Sequence, residues 1–446
     1  MQTDPRLRAL NRFGLGARPD ELSRIEPRSW LRAQVQSAAV MQPAENLPST
    51  QTIVEQMAAA RQNGAMTQEM RRTMRKQGRK QMGDEMLASL NLAVSTNAPF
   101  AERLVRFWSN HFAISAQGEQ LVTYVAGAYE REAIRPHVFG RFEDMVLATA
   151  MHPAMLIYLD QTRSIGPKSR AGRRSERGLN ENYARELMEL HTLGVDGGYS
   201  QDDVRQLALM LTGWTVGGVF RGRNTSEPKP FAFMDQLHEP GVKVLLNRRF
   251  AEAGVEEGRQ AISLLCQHPS TARFIATKLV RHFVADRPHP LDVDYVAGVF
   301  QNTGGDLHAV SLALIDLDSA FYGTERKFRP PQEFVIASAR ALGLKQANST
   351  ALQALQSMRQ ALWSPPSPAG YGDTVVDWAD PDSLLRRAEF AKVMVKRMRR
   401  TVDPGAVLAE TMEVSNPTAL LRLLEQQPTQ QTQLALLIAS PDFQWR

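Results

Sequence analysis

Between Gly178 and Trp214 the chain reads GLNENYARELMELHTLGVDGGYSQDDVRQLALMLTGW, which brings Asn180, Glu181, Asn182, Arg185, Glu186, Glu189 and His191 into twelve consecutive residues. At about 100° per residue on a helix, Asn182, Glu186 and Glu189 project together, while Tyr183, Ala184, Leu187, Met188, Leu190 and His191 gather on the other side. Two carboxylates and an amide at that spacing can ligate a divalent cation or act as an acid/base pair. The inward Glu-x-x-His of a di-iron bundle would need glutamate at 188, where the chain has Met188. A second reading is a solvated helix face, on which Glu181, Arg185 and Glu189 make ordinary i,i+4 ion pairs. Periodicity alone leaves both standing.

Other chemistry-bearing residues are scattered. His111 ends the segment PFAERLVRFWSNHF on its apolar side with Phe100, Leu104, Phe107 and Trp108, and reads either as a satisfied core histidine or as a catalytic one. His238 lies in a HEPG turn. Ser200 followed by Asp203 resembles a capping box, so Asp202 and Asp203 are assigned to a helix start, with Gly213 at its end. The one cysteine, Cys266, sits in the apolar run AISLLCQHP and reads as a buried thiol, which rules out a disulfide framework. No Walker loop, His-Glu-x-x-His or Gly-x-Ser-x-Gly is present.

These residues must be positioned by helices. Helical patterns run through most of the chain, no βαβ alternation occurs, and the fold class expected is mainly α: a multi-helix body with a small β-hairpin insertion. Residues 1–160 form an N-terminal helical region with a Met-rich arm at about 52–94, in which Met57, Met66, Met70, Met74, Met82 and Met86 recur at helical spacings. Residues 161–179 read as a basic flexible loop, 180–360 as a central helical core, and 361–382 as a proline-rich loop before C-terminal helices at 383–446. The β element is placed at about 214–250, in Trp214–Phe220, Phe231–Met234 and Val242–Leu246.

Of 446 residues 43% are hydrophobic, enough for a large core. The net charge of +6 comes from 53 basic against 47 acidic side chains, too small an excess to predict a nucleic-acid partner. Much of it is local, in Arg71, Arg72, Arg75, Lys76, Arg79 and Lys80, and again in the loop containing Arg163, Lys168, Arg170, Arg173, Arg174 and Arg177. No run reaches the roughly 20 apolar residues of a membrane helix, and no apolar leader is visible after Met1.

Seven segments carry a resemblance: LNRFGLGARPDEL at Leu10, RFWSNHFAIS at Arg106, HPAMLIYLD at His152, the stretch from Asn180, HEPGVKVLL at His238, HPSTARFIATKLVRHFV at His268 and SPDFQWR at Ser440. Through them the whole chain resembles the bacterial domain-of-unknown-function family 1800. The resemblance implies signature positions at Asn110, His111, Asn180, Glu181, Asn182, Arg185, Glu186, Glu189, His191, Trp214 and His238. The chain departs from the pattern at Glu239, where aspartate is common, and at Asn247, where glycine often follows the leucine.

Two expectations follow. In the first, the protein is a hydrolase-like enzyme of the cell envelope: His111, Glu186, Glu189, His191 and His238 carry the chemistry, Asn110, Asn180, Glu181, Asn182, Arg185 and Trp214 bind, and a divalent metal is one option with no ligand set assigned. In the second it is a non-catalytic partner of a companion from domain-of-unknown-function family 1501, which resembles alkaline phosphatases and sulfatases, and the Met-rich arm is the interaction surface. Lack of a leader and a single cysteine suit the cytoplasm, whereas the resemblance implies export, which a signal-bearing companion would reconcile.

Overall fold

In a computed structural model, structure is described for residues 4–37, 42–43, 46–62, 68–174, 178–218, 227–398 and 402–446. The fold is mainly helical, with two small antiparallel ribbons. Met66, Ser175, Arg177 and Phe220 lie outside the described residues, as do the side chains of Met70 and Arg71. One hydrophobic core runs from Ala9 to Phe443 through nearly every helix. Aromatic rings stack near its middle: Phe13 lies 5.6 Å from Phe100, 5.4 Å from Phe283 and 5.1 Å from Phe321.

Helix Pro99–His111 starts with proline at its first position, where no amide partner is needed, and is buried on more than its apolar side. Glu102 and Arg103 are also enclosed, because each finds an opposite charge: Arg135 grips Glu102 at 2.7 and 2.9 Å, and Arg103 reaches Glu333 at 2.5 Å. Interior arginines recur. Arg340 donates to the carbonyls of Gly16, Val94 and Thr96, and Arg387 to that of Arg329, so guanidinium forks staple loop backbone that has no ladder partner.

The Met-rich arm is a helical pair, Thr50–Gln62 and Gln68–Ser95. The second helix buries Met86, Leu90, Ala93 and Val94 at its C-terminal end but leaves Arg72, Arg75, Lys76, Arg79 and Lys80 exposed. The β residues form two ribbons, Trp214–Thr215 with Ala232–Phe233 and Lys243–Leu245 with Arg248–Phe250. Leu246 and Asn247 join the second pair with φ of 48° and 62°. Two consecutive left-handed residues are what a tight hairpin asks for, and asparagine tolerates that region better than most, which accounts for Asn247 where glycine was expected.

The described part of the basic loop, residues 161–174, is tied by its backbone to a later segment. Gly166 and Ala171 donate backbone bonds to Leu237 and Gln236 at 2.9 and 3.0 Å, the Glu239 carboxylate accepts from the Lys168 amide at 2.7 Å, and Ile165 is buried with Met234 and Leu237. Composition predicts exposure for its arginines; it does not reveal that its backbone pairs with a segment some seventy residues on.

Candidate functional site

The acid-rich helix spans Asn182–Glu186 and loosens into a π turn at Leu187–His191. Its first residues hold backbone. Asn180 Oδ1 accepts from the Asn182 amide at 3.0 Å, and the Asn180 and Asn182 side chains reach the carbonyls of Asp160 and Leu159 at 3.4 Å. Arg185 bridges Glu189 at 3.2 Å and Glu181 at 3.9 Å, and Gln201 joins both Arg185 and Glu181 at 2.7 Å. Glu186 is half-buried; burial, then the Glu189 charge, pushes its carboxyl above the ordinary value. Burial and the Glu189 carboxylate also push the Tyr199 phenol up to about 12.

His238 and Trp214 stand elsewhere. His238 is enclosed with Nδ1 2.8 Å from the Thr212 carbonyl and Nε2 3.0 Å from Glu257, whose other oxygen meets Lys243 at 2.7 Å. Trp214 packs edge-on to Phe231 at 5.3 Å and lies where a Cβ at Gly258 would come within 2.5 Å of its ring.

A cavity of about 440 Å³ opens at the C-terminal end of helix Pro99–His111. Of the residues expected from the sequence, Asn110 and His111 line it. Its other walls are helix Pro269–Phe283, which contributes Lys278, Arg281 and His282, and the proline-rich loop, which contributes Tyr371, Asp373 and Asp377. Leu190 brings the acid-rich helix to its edge.

Asn110 fixes the loop with both ends of its amide, donating to the Tyr371 carbonyl at 2.9 Å and accepting from the Tyr371 amide at 2.8 Å. The neighbouring turn needs Gly370: its φ is +82°, and a Cβ there would stand 2.4 Å from the Asn110 carbonyl oxygen. So anchored, the loop presents Asp373 to His282, with Oδ2 2.9 Å from Nδ1, while Lys327 bonds the Asp373 carbonyl at 2.6 Å. His282 Nε2 lies 3.5 Å from Arg103 and 3.9 Å from Glu333.

Electrostatics fix the protonation of this pair. Burial raises the Asp373 carboxyl, but His282 and Lys327 outweigh it and hold it well below the usual range. Burial lowers the His282 imidazole despite Asp373. An ionised Asp373 can only accept, so the ring carries a proton on Nδ1, and in the neutral form toward which burial pushes it Nε2 keeps the lone pair. The other two histidines of this region are also neutral: burial, then the Lys278 charge, drives His111 well below its ordinary value and His191 to about 3. His111 Nε2–H accordingly donates to the His191 carbonyl at 3.1 Å, leaving Nδ1 buried without a partner among the described residues.

Three π turns converge here. Ala9–Phe13 supplies the Asn11 carbonyl that accepts from Arg103, Glu130–Ile134 supplies Glu130, and Leu187–His191 supplies Leu190 and the His191 carbonyl. An extra residue in a helical turn frees a carbonyl and re-aims side chains, and such turns concentrate at functional sites. Among the described residues no three His, Cys, Asp or Glu side chains gather closely enough to hold a metal ion.

Sequence reasoning passed over Arg103, Lys278, Arg281, His282, Glu333 and Asp373. One signal was available: Lys278, Arg281 and His282 fall at i, i+3 and i+4 in HPSTARFIATKLVRHFV, a cationic edge on one helix. Asp373 carried no signal, since nothing in WSPPSPAGYGD says where that loop returns.

A family model described as protein of unknown function (DUF1800) matches residues 8–445. No curated protein and no solved structure matches the chain.

Proposed function

The chain belongs to the DUF1800 family, and from that premise we propose that it is a hydrolytic enzyme whose acid–base centre is the His282–Asp373 pair in the cavity. The observation that carries this reading is the 2.9 Å bond from His282 Nδ1 to an ionised Asp373, which fixes the tautomer and leaves Nε2 as the base. Water is the nucleophile in this scheme, because the side-chain hydroxyls in the wall are engaged: Ser109 donates to Glu130 and Thr374 to Asp377. Cys266 does not line the cavity, and burial pushes its thiol up. Nε2 accepts a proton from water as the oxygen attacks, and the imidazolium then protonates the leaving group. Arg103, 3.5 Å from Nε2 and already bonded to Glu333 and to the Gly14 and Asn11 carbonyls, adds its charge to the site rather than a free donor. Asn110 is a positioning residue here, acting through the loop that carries Asp373.

The test is turnover by purified protein of a panel of carboxylate, phosphate and sulfate esters, amides and glycosides. At least one class is expected to react, with kcat about 10²–10⁴-fold lower in H282N and D373N and melting little changed. No turnover on any class, or turnover indifferent to both substitutions, overturns the proposal.

The partner reading is favoured by one separate observation. Arg72, Arg75, Lys76, Arg79 and Lys80 are exposed at i, i+3, i+4, i+7 and i+8 on helix Gln68–Ser95, with no ion pair among the described residues. A continuous basic face of this kind suits an acidic protein surface. Unchanged co-purification of the family 1501 companion after charge reversal at Arg75, Lys76 and Arg79 would remove this reading.

A further inference from the structure

In its wall the cavity holds two cations that the acid–base pair does not use. Four carboxylates line it and all have donors. Glu130 accepts from Ser109 and Trp363, Glu333 from Arg103 with Arg446 2.7 Å away, Asp373 from His282, and Asp377 from the Thr374 amide and hydroxyl. Two cations in the same wall lack acceptors. Lys278 and Arg281 make no hydrogen bond or ion pair among the described residues, and Arg281 Nε is a buried donor without a partner. Three residues apart on helix Pro269–Phe283, they share a face beside His282.

We infer that Lys278 and Arg281 form an oxyanion-binding subsite, holding a phosphate, sulfate or carboxylate group of the ligand next to His282. The inference deepens the hydrolytic reading by naming the substrate class, and rests on it only for the place of the cavity. A guanidinium fork paired with an ammonium point charge is a common means of gripping such groups. The surroundings agree: burial lowers the Lys278 ammonium to about 8, and its charge is a cause of the depressed basicity of both His111 and His191. The Asp373 carboxylate offsets part of the Lys278 charge through space, but neither cation has a bonded acceptor among the described residues, and a bound anion would supply one.

Isothermal titration with inorganic phosphate, sulfate and malonate at low salt tests the subsite. Wild-type protein is expected to bind at least one, and the tightest names the class. K278M/R281M should weaken that binding by about 10–100-fold, the loss of two charge-assisted contacts, while K278R/R281K recovers most of it. Should the double variant melt early, the single variants K278Q and R281Q must each weaken binding. H282N is expected to bind within about threefold of wild type, so failure of the acid–base pair and failure of the subsite give different results. Absence of binding by all three anions up to about 50 mM, far beyond ordinary ligand affinities, or equal binding by wild type and K278M/R281M, overturns the inference.

Discussion

Two Glu–Arg–Glu clusters in this molecule use the same chemistry in opposite settings. In the acid-rich helix, Arg185 lies 3.9 Å from Glu181 and 3.2 Å from Glu189, with its side chain 37% exposed. Beneath the cavity, Arg135 meets Glu102 at 2.7 Å and Glu130 at 2.9 Å and is wholly enclosed. The first is visible as sequence spacing and is screened by water, so its ion pairs are weak. The second joins Arg135 to Glu130 five positions earlier and to Glu102 thirty-three positions earlier, on another helix, and water cannot substitute for a lost partner. Density of charge along the chain and density of charge around an enclosed space are therefore different signals, and only the second builds a cavity wall.

The difference can be broken by mutation. R135M should destabilise the fold by about 3–5 kcal/mol, because Glu102 and Glu130 lose their hydrogen-bonded cation and keep only Arg106, 3.6 Å from Glu102. R185M should cost only about 0.2–1 kcal/mol. Denaturant unfolding of the two proteins side by side measures this, and equal losses would mean that burial does not separate the two clusters.

A smaller effect sharpens the cavity side of the comparison. G370A places a side chain at positive φ against the Asn110 carbonyl and should cost about 1–3 kcal/mol. Amide hydrogen exchange should then rise across residues 363–377 but not in Asn182–Glu186, since the strain lies in the loop that Asn110 anchors.

The smallest effect belongs to Glu186. Its folded carboxyl is held above the ordinary value, so the protonated form favours folding; that contribution is full at low pH and is lost as pH rises through the raised folded value. E186Q should therefore melt no more than about 2 °C above wild type at neutrality, and the gap should close as pH falls toward 4.5, the ordinary carboxyl value. A gap that widens on acidification would reverse the sign.

Most of the fold was legible. Period and capping gave the helices, including the box that places Ser200 against Asp203, because those features are local. Half of the site was not. Asn110 and His111 were found through the segment containing them, and Lys278 to His282 share a helix face that could have been read. Asp373 and Glu333 reach His282 only through tertiary folding, and the three π turns, two of which offer the Asn11 and His191 carbonyls, follow from an extra residue per turn that 3.6-residue periodicity conceals. The basic loop illustrates the same limit, since its bonds to the Gln236 and Leu237 carbonyls and to the Glu239 carboxylate join segments some seventy residues apart.

Turnover by H282N and E186Q, compared on the same substrate and at matched folded concentration, separates the two regions most directly. H282N is expected to lose at least a hundredfold in kcat, about the floor for removing a positioned base, while E186Q keeps near wild-type rates. A normal H282N with an inactive E186Q would move the chemistry back to the acid-rich helix and contradict the His282–Asp373 reading.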